Sequence, residues 1–119
     1  MDRPISSDEI EAELWRICQR LDFQVGEIAK RARAAAQADA DHKVGFAKAI
    51  LRVEGATVGE REAKALIECA ESYALHKGAD AVLLAAQEAG RSLRSQIEAL
   101  RSLLATQRAA LTYATGEGA

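Results

Sequence analysis

The sequence predicts an all-α protein built as one long antiparallel helical hairpin with coiled-coil-like packing. Three observations support this prediction: alanine is abundant, proline is absent after Pro4, and apolar residues recur at helical spacing on both sides of one short break. Alanine is the strongest helix former and proline the strongest helix breaker. The 26 alanines among 119 residues therefore favour long helices, and they exclude a β-sandwich, a dinucleotide-binding α/β unit and a disulfide scaffold.

The first helix is predicted over about residues 7–53. Ser6, followed three residues later by Glu9, forms a capping box, which is typical of a helix start. Apolar residues then recur every three or four positions, at Ile10, Leu14, Ile17, Leu21, Val25, Ile28, Ala32 and Ala35. This spacing places them on one face of a long amphipathic helix. The phase of the pattern shifts further along the chain, and we expect a bend near residues 38–43.

A tight turn is predicted at about residues 54–57, between two long helices. Gly55 suits the left-handed backbone position that follows many helix ends. Thr57 with Glu60 repeats the capping box and marks the start of the next helix. The chain is then a single helical-hairpin domain over residues 1–119.

The second helix is predicted over about residues 58–111, followed by a frayed tail over residues 112–119. One of its faces carries Leu75, Ala79, Val82, Ala86, Ala89, Leu93, Ile97, Leu100, Leu104 and Leu111. With the turn centred near Ala56, the alanine-rich residues 32–40 lie against residues 72–80, which lets the helix axes approach closely. Four glycines inside the helices are expected to relieve crowding at that contact, with a functional kink as the alternative: Gly26, Gly45, Gly78 and Gly90.

The predicted apolar faces are wider than the contact between two helices requires. Apolar residues occur in adjacent pairs, such as Leu66 with Ile67 and Leu103 with Leu104, and several aromatic residues fall outside the main face. We therefore expect self-association, most simply a dimer that forms a four-helix bundle over part of its length. The residues predicted to meet a second copy or another protein are Trp15, Phe23, Phe46, Ile67, Leu84 and Leu103.

Arginines recur along the second helix, at Arg91, Arg94, Arg101 and Arg108. One interpretation is structural: acidic residues at the start of the first helix face these arginines and fix the register of the hairpin. Those acidic residues are Asp8, Glu9, Glu11 and Glu13. The other interpretation is a contact surface for nucleic acid or phosphate. Because the formal net charge is −2, any affinity for polyanions has to come from such a local patch.

A second basic cluster consists of Lys30, Arg31 and Arg33. It lacks the interleaved aromatic rings of a surface that binds single-stranded nucleic acid, which favours a solvated helix face. The residues predicted to face this cluster leave open a pocket for a small anion or nucleotide between the helices. They are Tyr73, His76 and Lys77.

No motif in the sequence points to catalysis, to a metal or to a cofactor. His42 lies beside Asp39 and Asp41, and His76 is four residues from Asp80. A metal site needs three or four converging ligands, and the sequence pattern supplies fewer at either place. We therefore predict no catalytic residue, no metal site and no cofactor.

The longest uninterrupted apolar stretch is residues 81–86, whereas a membrane span needs about 20 residues. We expect no contact with a membrane and a cytoplasmic location. The two cysteines, Cys18 and Cys69, are too far apart in sequence to form a metal or redox motif. Both are expected to be buried or half-buried side chains.

The residues around the turn resemble those of a known group of proteins. The resemblance rests on four segments: Phe46-Ala47-Lys48-Ala49-Ile50-Leu51, Glu54-Gly55-Ala56-Thr57-Val58, Gly59-Glu60-Arg61-Glu62-Ala63-Lys64-Ala65, and Leu93-Arg94-Ser95-Gln96-Ile97-Glu98-Ala99-Leu100-Arg101-Ser102-Leu103. Through them, residues 43–111 are similar to small all-helical, helical-hairpin proteins of tailed bacteriophages and prophages. The similarity covers roughly 60% of the chain, and the turn is its most specific part.

The resemblance implies a phage setting and the cytoplasm of a host cell, but no particular chemistry. Members of this group are mostly of unassigned function, and they are often encoded among genes for recombination and single-strand DNA handling. The leading hypothesis is a non-enzymatic protein that binds itself and a phage or host protein, in DNA recombination or as an inhibitor of a host system. The alternative is an oligomer that binds nucleic acid or a signalling nucleotide through its arginines. A purely structural spacer is a third hypothesis.

Overall fold

The computed structural model describes residues 5–116, and all of the secondary structure in this range is helical. Helix α1 covers Ser7–Arg52, α2 covers Val58–Glu68 and α3 covers Ala70–Thr115. No β-strand occurs within the described range, so the prediction of an all-α fold is confirmed. None of the helices described has an apolar stretch long enough to cross a membrane.

Helix α1 begins at the capping residue that the sequence predicts. The backbone N–H of Glu9 donates a 3.2 Å hydrogen bond to Ser6 Oγ, and the N–H of Ile10 donates to the Ser6 carbonyl at 3.1 Å. Ser6 therefore satisfies an N–H group that would otherwise have no partner at the helix start. From there the helix runs without interruption to Arg52, through residues 38–43, where the sequence predicts a bend.

The turn between α1 and α2 is held by the second capping box, which is confirmed. The N–H of Glu60 donates to Thr57 Oγ1 at 3.1 Å, and the Glu60 carboxylate accepts from the N–H of Ala56 at 3.0 Å. Gly55 does not adopt the predicted left-handed conformation. A Cβ on Gly55 would instead lie 3.0 Å from Arg61 Cγ and 3.3 Å from the Arg61 backbone nitrogen. A larger residue here would therefore force Arg61 to shift by a few tenths of an ångström.

Where the sequence predicts one helix over residues 58–111, the structure has two helices that meet at Cys69. The Cys69 backbone departs from helical geometry, with φ −97° and ψ 14°. Its N–H still donates to the Ala65 carbonyl, and its own carbonyl accepts from the N–H of Tyr73, both at 2.9 Å. The break is therefore a local distortion that keeps helical hydrogen bonds on both sides.

Helix α3 ends at Thr115, beyond the end predicted at residue 111. Gly116 has a φ of +74°, a conformation that favours glycine, and its N–H donates to the Tyr113 carbonyl at 3.2 Å. Of the tail predicted from residue 112, residues 112–115 are helical. Residues 117–119 lie outside the described range.

The chain divides into two compact units, and α1 and α3 contribute to both. The first unit comprises Met1–Gly26 and Glu88–Ala119. Its core consists of Ile17, Leu93 and Ile97, and four partly buried side chains pack against it: Leu14, Cys18, Leu21 and Leu100. Ile10 and Leu104 are also buried.

The two chain segments of the first unit run antiparallel. Near the start of α1, the Gln107 side chain accepts a 3.1 Å hydrogen bond from Ser7 Oγ and donates to the Ile5 carbonyl. Further along α1, Ile17 packs against Ile97, which precedes Gln107 in α3. Gln107 breaks the apolar pattern of the second helix, and its contacts show why a polar residue occupies that position.

The second unit comprises Glu27–Gln87. Its core consists of Ala49, Ala65 and Cys69, with Phe46 and Ile50 packed against them. Ala49 and Ala65 have no exposed surface. Side chains this small let α1 and α2 approach closely. Arg52 and Glu68 form an ion pair near this contact.

Most of the alanine-rich run over residues 32–40 is exposed, and the predicted close packing of this run is not found. Ala35 is buried and Ala38 is half-buried, whereas the remaining alanines of the run face solvent. The observed register also differs slightly from the predicted one: His42 contacts Ser72, two residues beyond the position estimated from the turn. The alanines therefore act mainly as helix formers.

The prediction that interior glycines relieve crowding is wrong for three of the four. A Cβ on Gly26, Gly45 or Gly78 would meet no atom of the described chain within 4 Å. Within the described chain these positions are open, and glycine there has a lower helix propensity than alanine. Gly90, the fourth, is buried.

We predict opposite effects of Gly→Ala substitutions at open and crowded positions. Gly45→Ala and Gly78→Ala should each raise the free energy of unfolding by about 0.5–1 kcal/mol, because alanine has the higher helix propensity. Gly55→Ala should lower it by about 1 kcal/mol, because the new Cβ displaces the first turn of α2. Urea denaturation followed by circular dichroism measures both, and an unchanged stability of Gly55→Ala would contradict the crowding at the turn.

Candidate functional surfaces

The outward side of α1 in the first unit carries two large aromatic rings. Trp15 is 67% exposed and Phe23 is 71% exposed. Ala12, Gln19 and Gly26 lie at helical spacing around them and are also exposed. Consecutive helical residues differ by about 100° in direction, so Trp15 and the core residue Ile17 point to nearly opposite sides of α1. We call these five residues the Trp15 face.

An ion pair borders the Trp15 face. Arg16 Nε donates a 3.0 Å hydrogen bond to Glu13 Oε2, and a second guanidinium nitrogen contacts the other carboxylate oxygen. The hydrogen bond from Arg16 lowers the pKa of Glu13, and the same bond raises the pKa of Arg16. Glu13 is thus paired with a neighbour on α1 and not with the arginines of α3 that the sequence places opposite it.

Besides Trp15 and Phe23, three of the predicted interface residues are exposed, whereas Phe46 is half-buried. Ile67 is 77% exposed, Leu84 is 56% exposed and Leu103 is 39% exposed. Phe46 is half-buried and packs against the core of the second unit, because α1 places it one turn before Ala49. Phe46 is therefore a core residue rather than a residue available to a partner.

The α3 arginines form ion pairs of two kinds. Arg108 reaches across to α1, where its guanidinium lies 3.1 Å from Glu11 Oε1. Arg91 and Arg101 instead pair with glutamates one turn earlier in α3, at 2.8 Å and 3.3 Å. The structural interpretation of the arginines thus holds at Arg108. The ion pairs are exposed, so each contributes little to stability.

A shallow groove of about 280 Å³ lies between the α1 and α3 segments of the first unit. Its lining combines apolar side chains with two arginines and two carboxylates: Cys18, Leu21, Asp22, Arg94, Ile97, Glu98 and Arg101. Arg94 forms no ion pair or side-chain hydrogen bond with any described residue. Its guanidinium therefore keeps its donors available at the edge of an apolar floor.

The second basic cluster lies on an exposed part of α1. Lys30 and Arg31 share Glu27, whose carboxylate oxygens lie 3.3 Å and 3.7 Å from them. This pairing fits a solvated helix face. The residues that the sequence places opposite this cluster contact other side chains: Tyr73 and His76 contact His42, and Lys77 lies over the Tyr73 ring.

A cluster of aromatic and titratable side chains in the second unit is not predicted by the sequence. The His42 and His76 rings stack with centroids 5.9 Å apart and an interplanar angle of 12°. The Tyr73 ring meets His42 edge-on at 5.5 Å, and the Phe46 ring lies 6.3 Å from it. The signal in the sequence is limited to two histidines near acidic residues. Their juxtaposition depends on the packing of α1 against α3.

His42 is linked by hydrogen bonds to the helix break. The Ser72 hydroxyl donates its one proton to the Cys69 carbonyl at 3.0 Å. The same hydroxyl also lies within hydrogen-bond distance of His42 Nδ1, at 3.0 Å. His42 is therefore connected through Ser72 to the residue at which α2 ends.

His76 lies between two carboxylates. Its Nε2 is 3.6 Å from Asp39 Oδ1 and 3.7 Å from Asp80 Oδ2. A hydrogen bond from Lys43 is the main cause of a lowered pKa of Asp39, and the charges of Lys43, His76 and His42 lower it further. Within the described residues, no group of three His, Cys, Asp or Glu side chains is placed to hold a metal ion.

Comparison with models of protein families, with curated proteins and with solved structures finds no match to this chain. The similarity of residues 43–111 to phage helical-hairpin proteins thus gains no support from these comparisons. The surfaces described above are identified from the chain's own residues and geometry.

Two neighbouring substitutions should distinguish the core from the Trp15 face. Ile17→Ala should lower the free energy of unfolding by about 2–4 kcal/mol, because Ile17 is 1% exposed and its loss leaves a cavity. Trp15→Ala should change it by less than about 0.5 kcal/mol, because the ring has little contact with the core. Urea denaturation at low protein concentration measures both, and equal losses would contradict the assignment of Trp15 to the surface.

Asp39 should contribute to stability in a pH-dependent way. Its pKa in the folded chain lies below the usual 3.8, so the stabilisation is present above that value and is lost as the pH falls through the folded pKa. Asp39→Asn should therefore be less stable than the wild type at pH 7, and the difference should shrink below about pH 4. Thermal unfolding from pH 7 to pH 3 tests this, with Asp41→Asn as the control. A difference that stays constant with pH would contradict it.

Proposed function

We propose that this protein is a non-enzymatic, phage-encoded helical protein that acts by binding another protein and that associates with itself. The observation that carries this proposal is the distribution of apolar side chains. Nine hydrophobic residues of the described range are buried, three of them alanine, whereas sixteen large hydrophobic residues are exposed. Single exposed apolar residues are common, but this many against so small a core are typical of a surface that other molecules cover.

Burial of these exposed apolar side chains by a partner would contribute favourable free energy of binding. Complete burial of a large apolar side chain stabilises by roughly 1.5–3 kcal/mol. Trp15, Phe23, Ile67 and Leu84 are all more than half exposed, so a partner that covers them gains from each. These residues lie in both compact units, which provides more than one area for binding.

The proposed architecture is an antiparallel hairpin whose dimer forms a helical bundle. The antiparallel packing of α1 and α3 in the first unit supports it, as does the contact of α1 with α2 in the second. In a bundle each helix gains a second neighbour, and side chains that a two-helix contact leaves exposed become core residues.

The proposed biological setting is the cytoplasm of a phage-infected cell. The protein would act there in phage DNA recombination or single-strand DNA metabolism, or as an inhibitor of a host system. This setting rests on the resemblance of residues 43–111 to phage helical-hairpin proteins. The choice between the two roles follows from the identity of the protein that it binds.

Capture of partners from infected and uninfected host lysates, followed by mass spectrometry, tests the proposal. The wild-type protein should recover a specific phage or host protein. The variant Ile67→Glu with Leu84→Glu should recover at least about tenfold less, because it places two charges on exposed apolar positions. Ala40→Glu is the matched control, since it adds a charge at an exposed position without removing a large apolar side chain. Recovery of the bait chain alone would contradict the proposal.

A second candidate function is the binding of nucleic acid or a small nucleotide in the groove of the first unit. The observation that favours it is Arg94, which lacks an ion-pair partner among the described residues and borders an apolar floor. An arginine can donate two parallel hydrogen bonds to a phosphate, and apolar side chains can contact a base. Asp22 and Glu98 in the same groove oppose the approach of an anion, which favours the protein-binding function.

Titration with a single-stranded oligonucleotide and with cyclic dinucleotides at low salt tests this second candidate. Binding should weaken as salt rises, and Arg94→Ala should weaken it about tenfold, since a hydrogen bond to a charged group is lost. Arg33→Ala is the control, because it removes an arginine outside the groove. Absence of binding at low salt would exclude the groove as a nucleotide site.

A further inference from the structure

We propose that the Trp15 face pairs with the Trp15 face of a second copy, with the two α1 helices antiparallel and the two-fold axis at Gln19. The proposal rests on the self-association proposed above and specifies its surface and its orientation. It concerns residues 12–26 of α1, which lie within the first unit.

The face is free to accept a partner. Its members are exposed, and Trp15, Gln19 and Phe23 make no hydrogen bond, ion pair or ring contact with any described residue. A Cβ on Gly26 would meet nothing within 4 Å in the described chain, so a neighbouring helix can approach closely there. No charged residue belongs to the face.

The face is complementary to itself about Gln19. The spacings from Gln19 to Trp15 and to Phe23 are both four residues, and those to Ala12 and Gly26 are both seven. Two antiparallel copies therefore place each Trp15 opposite the second copy's Phe23, and each Ala12 opposite the second copy's Gly26. The two Gln19 side chains meet on the axis, where their amides can hydrogen-bond to each other.

The antiparallel orientation follows from the sizes of these residues. In a parallel pair, tryptophan would meet tryptophan at one end of the face and phenylalanine would meet phenylalanine at the other. The helix axes would then need different separations at the two ends. In the antiparallel pair both aromatic layers contain one tryptophan and one phenylalanine, so the two layers require the same separation of the helix axes. Antiparallel helix dipoles also attract.

The area is sufficient for a specific dimer. An aromatic side chain buries about 150–250 Å², so the four rings alone account for on the order of 600 Å² or more. A specific interface buries at least about 1,000 Å² in total. The alanine, glycine and glutamine of both copies and the stems of the bordering Arg16 side chains contribute the remainder.

Sedimentation equilibrium and tryptophan fluorescence test the surface. The wild type should be a dimer at micromolar concentration, and the emission of Trp15, the single tryptophan, should move to longer wavelength as dilution dissociates it. Phe23→Glu should raise the dissociation constant at least about 100-fold, because both copies lose a central aromatic contact. Ile67→Glu changes an equally exposed apolar residue outside the face and should leave the dissociation constant within about twofold of the wild-type value.

Disulfide formation between single cysteines tests the orientation, in a background with Cys18→Ala and Cys69→Ala. Gln19→Cys should form a homodimeric disulfide, because the two copies of residue 19 meet on the axis. Ala12→Cys should not, since 14 residues of helix, or about 21 Å, would separate the two copies of residue 12. A mixture of Ala12→Cys and Gly26→Cys chains should cross-link to each other.

The outcomes separate this proposal from the broader one. A wild type that stays monomeric at high micromolar concentration overturns both self-association and the Trp15 face. A dimer that Phe23→Glu leaves intact overturns the Trp15 face alone. A homodimeric disulfide of Ala12→Cys overturns the antiparallel orientation, since in a parallel pair residue 12 meets its own copy.

Discussion

The contact between two long helices allows each helix to bury only one narrow stripe, and the rest of the structure follows from this constraint. In the first unit that stripe on α1 includes Ile10 and Ile17, which are 1% exposed. Residues next to these two in sequence, such as Glu9, Glu11 and Arg16, are already exposed. The sequence nevertheless places large apolar residues around much of the helix circumference, Trp15 and Phe23 among them. These exposed apolar side chains are the physical basis of the proposed binding functions.

Local signals in the sequence predict the helices well. Ser6 and Thr57 each begin a helix because a hydroxyl three residues before a free N–H group can cap it without help from distant parts of the chain. The apolar spacing along α1 likewise depends only on helical geometry, and the helix extends from Ser7 to Arg52. The exposed members of the predicted interface, such as Ile67, were identifiable because they lie off the main apolar stripe.

Features that depend on distant contacts could not be predicted in the same way. Gly55 looked like a residue suited to a left-handed backbone, yet its φ is not positive, and its surroundings are crowded by Arg61. Phe46 looked like a surface aromatic, but it packs against the buried cluster of Ala49, Ala65 and Cys69. Gln107 interrupted an apolar pattern without evident purpose, and its partners are nearly the whole chain away in sequence. In each case the residue's environment depends on tertiary packing, which the local sequence pattern does not reveal.

The helix break at Cys69 shows how such a distant contact acts on local structure. Sharp interruptions of a helix usually occur at proline or glycine, or where a side chain hydrogen-bonds to the helix backbone. The break at Cys69 involves neither proline nor glycine. Here the Cys69 carbonyl accepts from both the Tyr73 N–H and the Ser72 hydroxyl, and the same hydroxyl lies 3.0 Å from His42 Nδ1. The Cys69 carbonyl is thus linked through the Ser72 hydroxyl to His42 on α1. Because His42 also stacks on His76 in the following turn of α3, one α1 side chain contacts α3 both beside the break and one turn beyond it.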